Sequence, residues 1–144
     1  MKKLILATFV AINLVGCASV DMSTPQQDAE AKKFSAPKEN AAVYVYRNES
    51  MGAAVKMDVD IDGKPIGQTV AKTFLYKEVT PGKHIITSKA ENDSEIEIDA
   101  KPGMLYYVWQ EVKMGILYAR TKLQLVSESE GKLGVTETKL AVTK

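Results

Sequence analysis

Short runs of alternating apolar and polar residues, each closed by a turn signal, constrain the fold of this chain most. The clearest run is 55–62, where apolar residues alternate strictly with a lysine and three aspartates. Successive side chains of a strand point to opposite faces, so this run predicts a strand with one buried and one solvated face. Similar runs are 42–47, 65–70, 74–79, 84–90, 95–100, 104–113 and 121–126. Their spacing and the Gly and Pro between them favour an antiparallel sandwich or barrel. The first half of 104–113 is apolar on both faces, which predicts a central strand.

The first 17 residues have the three parts of an export signal. Lys2 and Lys3 form a basic start, residues 4–14 form an apolar run, and small residues precede Cys17. A helix needs about 20 apolar residues to cross a bilayer, so this run is too short to remain as a membrane span. Its end, LVGC at 14–17, resembles the bacterial lipobox, in which the cysteine is acylated. The alternative is an ordinary secretory signal followed by a lone buried cysteine.

The lipobox resemblance implies that residues 1–16 are a signal peptide and that Cys17 becomes the acylated first residue. Its thiol would carry a diacylglycerol and its amine an acyl chain such as palmitate, and several chains together give lasting attachment. The next residue is Ala18 and not Asp, which in similar lipoproteins implies export to the outer membrane. We therefore expect a lipid-anchored envelope protein that faces the periplasm. Since Cys17 is the only cysteine, no internal disulfide is expected.

The charge balance of the mature chain is almost neutral. Removing residues 1–16 leaves 17 of the 19 basic residues against 18 acidic ones. A nucleic-acid-binding domain has a basic face and a polybasic membrane patch needs clustered Lys and Arg, so we expect neither. The length of 144 residues fits one domain.

Composition divides the chain into four parts. These are a signal peptide (1–16), an acylated N-terminus and tether (17–40), a β-sandwich domain (41–126) and a C-terminal extension (127–144). In the tether, Thr24 as N-cap and Pro25 as first residue predict a short helix. Good helix formers follow over 26–34, and Ala36-Pro37 ends the helix. As a flexible coil, the tether would span about 25–30 Å and hold the domain clear of the lipid head groups. In the extension, residues 128–131 are expected to form a turn or short helix.

Several polar residues match part of a chemical site without completing one. Residues 58–63 (DVDIDG) match the first half of a calcium loop, but the twelfth position is Thr69 instead of Glu and the flanks read as strands. A solvated strand face explains these aspartates better. His84 is the only histidine, and no zinc-ligand spacing, G-x-S-x-G elbow or phosphate loop accompanies it. We therefore predict a non-enzymatic role with no catalytic residue, no metal and no cofactor.

Aromatic residues are the candidates for ligand contact. Tyr107 and Trp109 share one face of their run, and Tyr44 and Tyr46 share one face of another. If Tyr107 and Trp109 are exposed together, they could stack on sugar or peptide. Alternatively they fill the core, which the pattern favours because Trp109 lies in the most apolar run.

Five short motifs follow one another in order: VYVYR (43–47), DVDIDGKPIG (58–67), PGKHII (81–86), YYV (106–108) and VKMG (112–115). This order resembles the DUF2846 family of bacterial envelope proteins. The D-G-x-x-x-G pattern followed by P-G-x-H is also similar to PEGA modules, small β units of surface proteins. The family resemblance covers about residues 41–126 and implies a commonly lipid-anchored β-sandwich of unknown function. No catalytic residues can therefore be transferred.

Pattern and resemblance together predict an all-β fold, an antiparallel β-sandwich of immunoglobulin or transthyretin type. Two functions compete. In the first, a membrane-anchored domain presents the acidic face of 55–62, or an unpaired sheet edge, to an envelope protein. In the second, the domain binds cell-wall glycan or peptide through Tyr107 and Trp109. The expected partners are thus the membrane, through the lipid anchor, and an envelope protein or peptidoglycan.

Overall fold

Eleven helices and strands follow one another in the part of the chain that the structure, a computed structural model, describes: residues 19–53 and 55–144. They are α1 (Pro25–Ala31), β1 (Ala41–Arg47), β2 (Met57–Ile61), β3 (Lys64–Thr69), β4 (Thr73–Val79), β5 (Gly82–Lys89), β6 (Asp93–Ala100), β7 (Leu105–Met114), β8 (Ala119–Val126), α2 (Glu128–Thr136) and β9 (Lys139–Leu140). The predicted signal peptide and Cys17 lie outside these residues. Among the described helices, none is long and apolar enough to cross a membrane.

Two sheets form a sandwich, as predicted. One has the strand order β8-β7-β1-β4-β9 and the other β3-β2-β5-β6. The four-stranded sheet is antiparallel throughout, but β1 pairs with β7 and β4 with β9 in parallel. These two pairs depart from the antiparallel expectation. Apolar alternation identifies a strand but carries no information about the direction of its neighbour, which depends on how the chain crosses between sheets.

Strand β1 is buried along its whole length because a layer covers each of its faces. Val43 and Val45 point into the core between the sheets, where they join apolar residues of both sheets. Tyr44 and Tyr46 point to the opposite face and belong to an aromatic layer. Its neighbour β7 lies between β8 and β1, so the central strand that the sequence predicted over 104–113 is confirmed.

The aromatic layer covers the outer face of the five-stranded sheet, and helix α2 packs on this layer. Tyr44 and Tyr107 stack at 5.2 Å between ring centroids. Gly131 and Gly134 of α2 approach the layer very closely. A Cβ at Gly131 would lie 2.2 Å from Tyr107 atoms, and one at Gly134 would lie 2.1 Å from the Tyr46 ring. The helix can therefore dock only because both positions lack a side chain.

Residues 127–144 continue the fold beyond the turn or short helix that the sequence suggested. Ser127 caps α2 by accepting a hydrogen bond from Glu130 N at 3.3 Å, and the helix runs on to Thr136. Two interior glycines weaken the helical signal in the sequence. Packing on the aromatic layer supplies the stability that the local sequence lacks. Strand β9 then joins the sheet beside β4.

Helix α1 confirms the predicted capping by Thr24 and Pro25, with Gln27 completing a capping box. It ends three residues earlier than expected, and Phe34 adopts a positive φ of 53°. The segment is docked and not free. Tyr44 Oη donates to Ala31 O at 2.6 Å, and Met22 forms a β-bridge with Ala141. The interpretation of this segment as a flexible coil is therefore wrong from about residue 21 onward, because its polar groups bond to the sandwich.

The sheet edges are covered by other parts of the chain. The β9 edge is covered by the Met22 bridge, and Lys144 N donates to Ile66 O of β3 at 2.8 Å. On the opposite side, Leu123 N of β8 donates to the Ser94 hydroxyl of β6 at 2.9 Å. Such covering blunts the tendency of edge strands to pair with other chains. These contacts occupy part of the sheet edges, and docking through an unpaired edge stays a prediction of the sequence for the rest.

A chain of buried polar side chains connects the two sheets near one end of the core. Gln110 of β7 accepts a hydrogen bond from the Thr69 hydroxyl at 2.6 Å and donates to the Ser88 hydroxyl at 2.6 Å. Ser88 in turn bonds to the Thr121 hydroxyl at 2.7 Å. Because every member finds a partner, the network fixes the sheets against each other at little net cost.

Candidate functional site

The three most exposed large apolar residues in the described part of the chain lie together at one end of the sandwich. Met114, Ile116 and Leu117 are 85%, 91% and 85% exposed, and Tyr118 beside them is 55% exposed. They form the connection between β7 and β8, and we call residues 114–118 the hairpin tip. Single exposed apolar residues are common on proteins, whereas a contiguous group marks a contact surface.

The turn between β5 and β6 supports the hairpin tip from one side. Glu91 Oε1 accepts a hydrogen bond from Leu117 N at 2.7 Å, and Glu91 N donates to Ala119 O at 3.1 Å. Gly115 lies against the same carboxylate, since an added Cβ would fall 1.5 Å from Glu91 Oε2. These contacts give the tip a defined conformation that presents its apolar side chains to the outside.

The loop after β1 supports the same end from the other side. Arg47 is fully buried and donates to Val55 O at 2.8 Å and to Gly52 O at 3.2 Å, which closes the loop. Burial lowers the pKa of Arg47, and the charge of Glu49 partly offsets this lowering. Glu49 also accepts a hydrogen bond from Val112 N of β7 at 2.7 Å. The strand that carries the hairpin tip is thus fixed on both sides.

Basic side chains flank the base of the hairpin tip. Lys113 and Arg120 are cross-strand partners, next to the final pair of the hairpin, Met114 and Ala119. Lys113 Nζ lies 2.5 Å from Glu111 Oε1, and this hydrogen bond is the main reason that the pKa of Glu111 is lowered. Arg120 is exposed and has no carboxylate within 4.0 Å among residues 19–53 and 55–144. The tip therefore combines an apolar end with one unpaired basic side chain, Arg120, at its base.

The structure separates the two aromatic residues that the sequence proposed as a binding pair. Tyr107 is 2% exposed beneath α2, and its burial raises the pKa of its hydroxyl to about 12. Trp109 is only partly buried, and its Nε1 donates to Glu49 Oε2 at 3.1 Å. It lines a shallow groove with Tyr46 and Leu133. Tyr107 therefore cannot contact a ligand in this structure, whereas the partly exposed Trp109 can.

The aspartates of residues 58–63 have separate partners. Asp58 accepts from Gln68 Nε2 at 2.8 Å, while Asp60 is 4% exposed and pairs with Lys89 at 2.6 Å. The expectation of a fully solvated acidic face is therefore wrong at Asp60, which lies under Lys89 of the neighbouring strand. In the described residues, no group of three or more His, Cys, Asp or Glu could hold a metal ion.

Asp62 and His84 form a pair at the opposite end of the sandwich from the hairpin tip. His84 Nδ1 lies 2.6 Å from Asp62 Oδ2, and its Nε2 lies 2.6 Å from Thr80 O. Burial by itself lowers the pKa of His84, but these hydrogen bonds and the Asp62 charge outweigh it, so the net shift is upward. The hydrogen bond to His84 is the main cause of the lowered pKa of Asp62. With both imidazole nitrogens engaged, this histidine stabilises the turn after Ile61.

The alternation pattern of the sequence does not predict the hairpin tip. A signal was present, because the residues between two strands are usually polar, whereas here G-I-L-Y follows Met114. Cys17, the predicted acylation site, lies outside the described residues, but the first hydrogen bonds of the fold involve residues only a few positions later. Val142 N donates to Asp21 O at 2.8 Å.

Comparisons with known proteins give a family but no activity. The profile of a family described as "Protein of unknown function (DUF2846)" matches residues 37–121. An "Uncharacterized protein" of Haemophilus influenzae is 35% identical over 136 residues, which is 93% of this chain and 81% of that protein. No solved structure matches the chain significantly.

Proposed function

The chain belongs to the DUF2846 family, whose function is unknown, and we propose that it is a lipid-anchored, non-enzymatic protein of the bacterial cell envelope. In this proposal the sandwich acts by binding a neighbouring component of the envelope. The anchor is Cys17, and the outer membrane, facing the periplasm, is the location that Ala18 favours. The PEGA-like character of the turns at 62–67 and 81–84 remains a prediction of the sequence.

In this proposal, a short connection between anchor and sandwich limits how far the domain can lie from the membrane. Asp21 is already hydrogen-bonded to Val142. Three residues lie between Cys17 and Asp21, so the four Cα-to-Cα steps that join them span at most about 14 Å when fully extended. An acylated Cys17 would therefore hold the sandwich close to the bilayer surface. This differs from the 25–30 Å that a flexible tether would span.

The hairpin tip is the single observation that carries the contact role. Its side chains are 55% to 91% exposed in a hairpin that Glu91 holds in a defined shape. Exposing these residues to water is unfavourable by roughly 1.5–3 kcal/mol for each large apolar side chain, and binding would recover part of this free energy. A surface that is ordered, apolar and protruding is suited to binding a partner.

Binding of cell-wall glycan or peptide through aromatic residues has weaker support. It requires Tyr107 and Trp109 to act together, and Tyr107 is enclosed beneath α2. Trp109 alone offers one partly exposed ring in a groove. Its fluorescence tests the idea directly, because a ligand stacked on the indole would shift the emission. Emission that peptidoglycan fragments leave unchanged argues against this function.

Photo-crosslinking in intact cells tests the contact role. A photoreactive amino acid replaces Leu117 of the hairpin tip, and a matched variant carries it at Lys101, which is exposed in the turn before β7 at the opposite end. We expect an adduct from position 117 and none from position 101. Absence of any adduct at 117, with the protein present in the envelope, contradicts the contact role.

Anchoring has its own test. The parent chain should stay with the membrane fraction through high-salt and alkaline washes, while Cys17→Ser should be released or remain unprocessed. Equal membrane retention of the two forms, with residues 1–16 removed from both, argues against acylation of Cys17.

A further inference from the structure

We propose that the hairpin tip inserts into the surface of a lipid bilayer that contains anionic lipids. This inference rests on the contact role proposed above and names its partner. The apolar end of the tip, Met114, Ile116 and Leu117, would enter the boundary between head groups and acyl chains. Tyr118 is half-exposed next to it, and tyrosine is enriched at this depth because its ring is apolar and its hydroxyl is polar.

The shape of the hairpin tip favours a bilayer over a protein partner. Its apolar residues are consecutive in a turn, and Ile116 is 91% exposed, so the surface is convex and small. A protein partner would need a pocket shaped to receive it, whereas a bilayer accepts a small convex apolar group without a complementary shape. Insertion strength follows the apolar area that leaves water.

One unpaired basic side chain at the base of the tip suits a negatively charged lipid surface. Arg120 is exposed, and Lys113 lies opposite it on the same face of the hairpin. Lys113 is paired with Glu111, whereas Arg120 has no carboxylate within 4.0 Å among residues 19–53 and 55–144. Arg120 can therefore contribute attraction of about 1 kcal/mol near an anionic surface.

The hairpin tip and the N-terminal segment lie at opposite sides of the five-stranded sheet. The tip joins β7 and β8, whereas the N-terminal segment pairs beside β9, at the other side of the five-stranded sheet. A lipid anchor at Cys17 and an inserted tip would thus attach the sandwich at two separated places. Two attachments fix the orientation of a domain on a membrane, which a single short connection does not.

Depth-dependent fluorescence quenching tests the inference on the whole mature protein. The chain is purified from membranes and reconstituted into phosphatidylcholine vesicles, with or without phosphatidylglycerol. Leu117→Cys and the control Lys101→Cys each carry an environment-sensitive NBD label, and some lipids carry a doxyl quencher on the acyl chain. The parent protein should take up no label, because an acylated Cys17 has no free thiol.

Insertion predicts a blue shift and a loss of NBD fluorescence at position 117 and neither at position 101. The loss should be larger with phosphatidylglycerol, and Arg120→Gln should reduce that difference. Equal behaviour at the two positions overturns the inference. A blue shift at 117 in native membranes, together with no doxyl quenching at 117 in the vesicles, also overturns it and points to a protein partner, which leaves the contact role intact. If Cys17 proves unmodified, anchoring fails separately, and the Cys17→Ser background still reports on the tip.

Discussion

Replacing Gly131 by alanine tests whether helix α2 is fixed on the aromatic layer. The added Cβ would lie 2.2 Å from Tyr107 atoms, far inside the roughly 3.5–4.0 Å at which carbon atoms make favourable contact. Tyr107 is 2% exposed in a central strand, so the helix has to move. Overpacking costs about 1–3 kcal/mol. Better helix propensity returns about 1 kcal/mol. Movement of the helix would also partly expose Val135, which is fully buried, and this lost burial would add about 1 kcal/mol to the destabilisation.

We therefore expect Gly131→Ala to lower the free energy of unfolding by about 1–3 kcal/mol. At roughly 4 °C for each kcal/mol in a chain of this size, Tm should fall by about 4–12 °C. Urea and thermal denaturation measure both quantities. Leu133→Ala is the matched control, because Leu133 is 69% exposed on the same helix and its truncation should stay within about 0.5 kcal/mol. A Gly131→Ala protein as stable as the parent would refute the close packing of α2 on Tyr107.

Three further changes test other parts of the structure. His84→Gln should destabilise the fold more at about pH 5.5 than at about pH 8.5. Because the pKa of His84 is raised in the folded state, the histidine stabilises the fold fully below about pH 6.5, and this stabilisation is lost as the pH rises through the folded-state pKa. Equal losses of stability at both pH values in urea denaturation would contradict this. Gln110→Leu leaves the buried Thr69 and Ser88 hydroxyls without their amide partner, so it should lower the free energy of unfolding by about 1–3 kcal/mol in the same assay. An unchanged free energy of unfolding would show that the polar network is dispensable. Gly115→Ala should displace the Glu91 carboxylate and speed amide hydrogen exchange at Leu117, and unchanged exchange there would argue against the Glu91 support.

The strands could be predicted because alternation records which side of each strand faces the core. Val59 and Asp58 occupy opposite faces of β2 as their chemistry requires. The turn at Asp62-Gly63 could be predicted too, since both residues adopt the positive φ that a tight hairpin needs. Such features depend on neighbouring residues in the sequence, so a short window contains the information.

Other features depend on residues that are far apart in the sequence. Helix α2 contains two glycines, and its stability comes from Tyr46 and Tyr107, which lie in other strands. The N-terminal segment looked like a coil because its partners, Leu140 to Val142, follow more than 100 residues later. Tyr107 and Trp109 share a face, yet α2 encloses only Tyr107.

The hairpin tip illustrates the same limit at the candidate site. The sequence contains the apolar residues 116–118, but their exposure depends on where the hairpin turns and on Glu91, which belongs to a different turn. Alternation alone would assign such residues to the core. Their placement outside the core depends on a contact between two turns that are far apart in the sequence.

Intact mass spectrometry of the protein extracted from bacterial membranes tests the central proposal, lipid anchoring in the envelope, most directly. Lipid anchoring predicts a chain that begins at Cys17, lacks residues 1–16, and carries the added mass of a diacylglycerol and an acyl chain. A chain that retains residues 1–16, or a processed chain whose Cys17 has a free thiol, would contradict it.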